Sequence, residues 1–149
     1  MSNLTAFFDA LAYSEGTDNG VQPTHDRGYD VLVGGKLFQN YADHPRVYNA
    51  KLNSTAAGRY QILDDIFDAY KERLKLPDFS PASQDKIALQ LIKECKALIN
   101  INLGNFDIAI HQCRSRWASL PGAGYGQHEQ KIEALRKVYV KAGGKVGSA

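Results

Sequence analysis

The stretch Asn3-Leu4-Thr5-Ala6-Phe7-Phe8-Asp9-Ala10-Leu11-Ala12-Tyr13-Ser14-Glu15-Gly16-Thr17 decides how this chain is read. Leu4, Phe7, Phe8 and Leu11 recur at three- and four-residue spacing, the apolar stripe of a short amphipathic helix that Asn3 is placed to cap. Glu15 extends that stripe, four residues beyond Leu11 and eight beyond Phe7, where a surface helix would carry another leucine. Gly16 follows as the residue that ends the helix. A carboxyl on the buried face, in the last turn and against the negative end of the helix dipole, is disfavoured as an anion. Its pKa rises, which is what a general acid working near neutral pH requires. Spacing alone leaves open a terminal glutamate that simply turns out to solvent.

Outward from this helix, the chain of 149 residues has the length of one domain able to bury a sizeable core. With 44% hydrophobic and 23% charged residues and no biased tract, its composition is globular rather than disordered. A net charge of +2 is too mild to argue for nucleic-acid binding. No apolar run approaches the roughly 18 residues of a membrane span, and the N-terminus has no signal-peptide pattern, so synthesis in a cytoplasm without membrane insertion is expected. Cys95 and Cys113 fall at apolar positions of helical patterns, which predicts two buried free thiols rather than a disulfide.

Thr17 to Gly28 is polar and turn-rich. It leads into Tyr29-Asp30-Val31-Leu32-Val33, Gly34-Gly35 and Lys36-Leu37-Phe38, two short β-rich runs that read as a hairpin, with a third extended run at Ala57-Gly58-Arg59-Tyr60-Gln61. From Asp64 the pattern is helical through Ile66, Ala69, Tyr70 and Leu74, with Pro77 as its stop. Ser80-Pro81 is a strong helix start, opening a wide apolar face of Ile87, Ala88, Leu91, Ile92, Cys95 and Leu98. Phe106, Ile110, Cys113 and Trp117 predict a further helix, and Ile132, Leu135, Val138 and Tyr139 a last one, ended by Gly143-Gly144. The expected architecture is α+β over residues 1–149: a first helix, a small β-meander within about 17–62 and a helical lobe over about 64–144, with a cleft between the two parts.

Much chemistry is excluded. His25, His44, His111 and His128 are scattered without ligand spacing, so neither a metal nor a cofactor is expected. Gly122, Gly124 and Gly126 follow no strand and read as a surface loop rather than a phosphate cradle. No nucleophile elbow exists, and neither cysteine has an electropositive setting. What remains is Glu15 and a supply of loop side chains, Tyr29, Asn40, Tyr41, Tyr60, Gln61, Tyr125 and Gln127, whose aromatic faces and amide edges suit a polysaccharide groove. Surface tyrosines are common, however, and composition alone favours that plainer reading.

The blocks Ala12-Tyr13-Ser14-Glu15-Gly16-Thr17-Asp18-Asn19-Gly20, Gly28-Tyr29-Asp30-Val31 with Val33-Gly34-Gly35, Asp43-His44-Pro45-Arg46, Ser54-Thr55-Ala56-Ala57-Gly58-Arg59-Tyr60-Gln61 and Trp117-Ala118-Ser119-Leu120-Pro121-Gly122-Ala123-Gly124-Tyr125-Gly126-Gln127 closely resemble the lambda-type phage endolysins, in order along essentially the whole chain. The resemblance implies a lysozyme-like fold and a lytic transglycosylase acting on bacterial murein, with Glu15 as catalytic acid and base. It implies that Tyr60, Gln61, Tyr125 and Gln127, together with Tyr29 and Asp30, line the groove for peptidoglycan glycan strands. Such a protein acts as a monomer and depends on a separate membrane hole-forming protein, a holin, to pass from the host cytoplasm to the periplasmic murein. Cys95 falls where no family cysteine is expected. Ordinary glycosidases use two carboxylates, so a hydrolysing muramidase would need Asp18, Asp26, Asp30 or Asp43 as the second. A cell-wall binder that had lost catalysis is the reading outside enzymes, and the intact motif around Glu15 argues against it.

Overall fold

The computed structural model describes residues 2–124 and 129–147, among which six helices are present: α1 (Asn3–Ser14), α2 (Asp64–Leu74), α3 (Pro81–Glu94), α4 (Leu98–Asn102), α5 (Phe106–Cys113) and α6 (Ile132–Lys141). The helix expected from the opening stretch is α1. Ser2, rather than Asn3, caps it, its hydroxyl accepting from the Thr5 amide at 3.2 Å. Asn3 lies one residue too late for cap geometry. Its Nδ2 donates to the Ile101 carbonyl at 2.9 Å and its Oδ1 accepts from the Lys145 amide at 3.0 Å. Gly16, at φ +76°, ends the helix in the left-handed region, as the sequence predicts.

The chain forms two compact units, Met1–Glu15 with Leu89–Ala149, and Gly16–Ala88. The division falls inside α3, so α2 and the first half of α3 belong with the loops.

In the first unit α1 packs on α6 and α4. Phe7 meets Phe106 edge-on at 5.9 Å, and Phe106 lies against Tyr139 at 4.4 Å. Leu11, Ile101, Ile110 and Leu135 fill the space around these rings, all essentially without solvent exposure. Burial of each such side chain contributes about 1.5–3 kcal/mol, so this cluster holds the helix that carries Glu15. Two expected helices are shorter than their apolar patterns. Lys96, at φ +60°, stops α3 before Leu98, with the Ala97 amide bonding the Ile92 carbonyl at 3.1 Å, and Leu98 instead opens α4. Likewise α5 stops at Cys113, and the Trp117 amide folds back on the Cys113 carbonyl at 3.3 Å. The apolar positions continue across both breaks because burial, not helicity, sets them.

The second unit contains no strand ladder among its described residues, so the expected β-meander is instead a run of tight turns. Isolated antiparallel bridges join Val31 to Leu37, Leu32 to Ala57, Asn49 to Ser54 and Ala57 to Ile62. The physical reason lies in backbone handedness and amide side chains. Gly34 and Gly35 turn the chain at φ +93° and +105° before a second pair can form. Side-chain amides add to the turn hydrogen bonds: Gln61 Nε2 donates to the Val31 and Gly58 carbonyls, which also accept the Gly58 and Gln61 amides, while Gln22 Nε2 donates to Gly35 and Gln84 Nε2 to Tyr29 and Phe79. At Gly58 a Cβ would stand 2.3 Å from Gln84 Oε1, so only glycine fits. α2 ends at Leu74, ahead of Pro77, because Lys75 adopts φ +54°. The apolar centre of this unit is Phe67, Phe79 and His44, with the His44 and Phe79 rings 4.9 Å apart. His44 Nε2 donates to the Ile62 carbonyl at 2.8 Å while Nδ1 accepts from the Arg46 amide at 3.0 Å, and burial pushes its pKa down, keeping the ring neutral. No described helix is long and apolar enough to cross a membrane.

Candidate active site

Glu15 is the residue on which α1 ends, its amide closing the last turn on the Leu11 carbonyl at 2.9 Å. Ala12 and Leu11 behind it are fully buried, so its carboxyl starts from the apolar face as its spacing requires. The side chain is half-buried, and the Ser119 hydroxyl donates a short hydrogen bond to Oε2. Ser14 is buried beside it, with its Oγ 2.7 Å from Ser119 Oγ. Since the Ser119 proton lies on the Glu15 carboxylate, Ser14 is the donor in that second bond, and the three side chains form a short relay. Desolvation raises the Glu15 pKa from 4.5 to about 7, while the Ser119 hydrogen bond pulls the other way by favouring the anion. The outcome is a carboxyl that carries and releases a proton near neutrality.

The segment that delivers Ser119 is fixed by its neighbours. Trp117 is 2% exposed and Leu120 fully buried, the Leu120 amide bonds the Trp117 carbonyl at 3.0 Å, and the Gln130 amide bonds the Ser119 carbonyl at 2.8 Å. Farther along, both carboxylate oxygens of Glu129 are used, accepting from the Gly122 and Gly124 amides at 2.9 Å each, which fixes those two glycines. These glycine amides serve a protein carboxylate, in keeping with a surface loop. Neither Ser119 nor Glu129 was singled out by sequence reasoning. The available signal for Ser119 was its place between Trp117 and Leu120, a hydroxyl flanked by two apolar anchors.

The expected groove residues fare differently. Tyr125 and Gln127 lie outside the described residues. Tyr60 is an interior residue at 1% exposure, its hydroxyl donating to Asp85 Oδ1 at 2.6 Å. Tyr29 is also buried and donates to the same oxygen at 2.9 Å. Asp30 is buried too, accepting from the Thr24 hydroxyl at 2.5 Å and the His25 amide at 3.0 Å. These three side chains hold the turns of the second unit together through the hydrogen bonds just named. Gln61 is partly exposed, but its amide nitrogen is committed to Val31 and Gly58. Loop position suggested exposure for Tyr29 and Tyr60, and the buried Arg59 against both rings goes with their burial. Arg59 is 1% exposed and donates to Asp18 at 3.2 Å, to the Arg27 carbonyl at 2.9 Å and to the Tyr60 hydroxyl at 3.2 Å, with its guanidinium over both tyrosine rings.

Residues 5–146 match the family model described as Endolysin. The chain belongs to the endolysin family. It is 57% identical to the endolysin of Escherichia phage lambda over 95% of this chain and 91% of that one. To the endolysin of Escherichia phage P2 it is 49% identical, over 95% and 93% of the two chains. Among solved structures, the bacteriophage lambda lysozyme complexed with a chitohexasaccharide superposes with a TM-score of 0.93 at 55% identity, covering 98% of this chain and 97% of that one. A second lambda lysozyme structure gives a TM-score of 0.89 at the same identity. The family member described here therefore has a lysozyme-like fold.

Proposed function

We propose that this endolysin cleaves the β-1,4 bond between N-acetylmuramic acid and N-acetylglucosamine in bacterial peptidoglycan as a lytic transglycosylase, with Glu15 as the single catalytic carboxyl. The observation that carries this reading is the half-buried Glu15 carboxyl, held by Ser119 with its pKa at about 7. Protonated, it gives its proton to the glycosidic oxygen as the bond breaks. The muramoyl 6-hydroxyl, tethered to the same sugar, captures the anomeric carbon, and the Glu15 carboxylate takes that hydroxyl's proton. One carboxyl thus serves both half-reactions, and the product is a 1,6-anhydromuramoyl end.

The disposition of the other carboxylates supports this. Each aspartate considered as a second catalytic group already has a partner: Asp18 pairs with Arg59 at 3.2 Å, Asp26 accepts from the Tyr41 hydroxyl at 2.7 Å, Asp30 binds Thr24 and His25, and Asp43 pairs with Arg46 at 3.1 Å. The chitohexasaccharide bound to lambda lysozyme supports a glycan strand as the ligand. Tyr125 and Gln127 are the groove residues we retain from sequence. The enzyme acts as a monomer and reaches periplasmic murein after a holin has opened the membrane. Mass analysis of digested murein tests the chemistry. Anhydro ends, each one water lighter than a hydrolysed end, are expected, and mainly reducing muramic acid ends would assign a hydrolysing muramidase instead.

A further inference from the structure

Ser119 reaches Glu15 from a segment that leaves α5 at Cys113, a buried free thiol as its spacing predicts, whereas Cys95, also free, is only partly buried. Around Ser119 the segment is anchored by packing, since Trp117 and Leu120 are buried. Beyond Leu120 that packing gives out. Gly122 and Gly124 sit at φ +82° and +76°, a Cβ on Gly124 would meet no described atom within 4 Å, and one on Gly122 would meet only Arg114 Cδ, at 3.9 Å. This part is held by the Ala123 amide on the Leu120 carbonyl at 3.3 Å and by the Glu129 carboxylate, whose Oε1 accepts from the Gly122 amide and Oε2 from the Gly124 amide at 2.9 Å each. These are charge-assisted bonds, and the Gly124 and Gly122 amides hold the Glu129 carboxyl below its ordinary pKa. The next residue completes the grip. The Gln130 amide donates to the Ser119 carbonyl at 2.8 Å, so residues 129 and 130 hold the segment at 119, 122 and 124.

We propose that Glu129 is a positioning residue for the proton chemistry of Glu15, acting through Ser119; this rests on Glu15 being the catalytic acid, as proposed above. The Ser119 hydroxyl has to satisfy two partners at once, giving its proton to Glu15 and accepting from Ser14 Oγ at 2.7 Å. Hydrogen bonds weaken steeply when misdirected, so a small drift of the Ser119 peptide costs the contact to Glu15. The positive φ of Gly122 and Gly124 turns two amides toward one carboxylate, and the same backbone freedom makes the segment costly to keep in one conformation. Holding it there before substrate arrives is what the Glu129 carboxylate contributes. Without that carboxylate the two glycines are released, the Gln130 contact to Ser119 slackens, and Glu15 is left with burial alone, which raises its pKa. Direct electrostatics has the opposite sign. Removing a negative charge near Glu15 favours its anion and lowers the pKa, so the direction of the shift tells a brace from a charge.

The test titrates the Glu15 carboxyl by NMR in the full-length wild type, Glu129→Ala and Glu129→Gln, and measures kcat and KM on murein in these proteins, in Ser119→Ala and in the variant that combines Ser119→Ala with Glu129→Ala. Glu129→Ala is expected to move the Glu15 midpoint above its wild-type position and to lower kcat about tenfold, as Ser119→Ala does, with KM within about twofold of wild type. Glu129→Gln is near-isosteric and keeps one acceptor oxygen, so it should fall between wild type and Glu129→Ala. On the Ser119→Ala background, Glu129→Ala should cost less than about twofold more, because both changes remove the same contact. An unmoved or lowered midpoint, a loss carried by KM, or full multiplication of the two single effects overturns the proposal. Should Glu129→Ala fail to fold, the direction of the shift in Glu129→Gln decides. A wild-type midpoint at the ordinary 4.5 overturns the role of Glu15 itself, and that failure is told apart because it needs no variant.

Discussion

Asp85 receives two tyrosine hydroxyls, and Arg59 near it distributes its donors over Asp18, Tyr60 and the Arg27 carbonyl. Glu15, in the other unit, receives the Ser119 hydroxyl as its described side-chain donor, with a pKa near 7. Both centres are polar groups withdrawn from water, but they are equipped in opposite ways. The Arg59 centre answers burial with partners, which is what a buried charge needs in order to be architectural. The Glu15 centre leaves the carboxylate short of donors, so the proton is retained at neutral pH and the group is kept for chemistry at a cost in stability. The number and charge of donors around a buried ionisable group, more than its burial, separates frame from site in this molecule.

The sharpest way to break the comparison is to neutralise each centre. Glu15→Gln is expected to lower lytic rate by at least a thousandfold, because the near-isosteric amide cannot give and retrieve a proton. The fold should survive and gain stability. With its pKa raised from 4.5 to about 7, folded Glu15 holds a proton that the unfolded chain has released, so its penalty grows as pH rises through that window. The variant should therefore match wild type below pH 4.5 and exceed it above pH 7, by about 1 kcal/mol. Denaturant melts at the two pH values check this, and retention of substantial lysis would refute the assignment.

Arg59→Met should behave in the reverse sense, destabilising by about 3 kcal/mol because Asp18, the Arg27 carbonyl and the Tyr60 hydroxyl lose the guanidinium that donates to them. Urea unfolding measures it. A loss below about 0.5 kcal/mol would mean that the cluster is not architectural.

Ser119→Ala gives the smallest and most specific effect. Without the hydroxyl that favours the anion, the Glu15 pKa should climb further, and the alkaline limb of the pH–rate profile should move to higher pH. Activity at neutral pH should fall about tenfold through lost positioning. An unmoved limb would place Ser119 outside the proton chemistry.

The same contrast explains what could be read from the chain. α1 and the facing of Glu15 were legible because three- and four-residue spacing reports burial directly, and the start of α3 at Ser80-Pro81 because capping chemistry is local. The stops at Lys75 and Lys96 were not legible, since lysine rarely adopts a positive φ and only the surrounding contacts impose it. The β-meander read in the second unit appears as isolated bridges joined by turns, because β-rich composition does not reveal how early Gly34 and Gly35 turn the chain or that Gln61, Gln22 and Gln84 bind backbone carbonyls. Likewise Tyr29 and Tyr60 were read as loop side chains, as nothing in their spacing shows a buried arginine against both rings. At the site, the acid was visible and the hydroxyl that holds it was not, because Ser119 reaches Glu15 from a distant part of the chain.

The central claim is that Glu15 alone holds the catalytic proton near neutrality, and it is tested most directly by titrating that carboxyl. With 13C-labelled glutamate, the side-chain resonance absent from Glu15→Gln is followed by NMR against pH in the wild-type protein. A midpoint near 7, well above the ordinary 4.5, is the expected result. A midpoint at the ordinary value would show a solvated carboxylate and contradict the account.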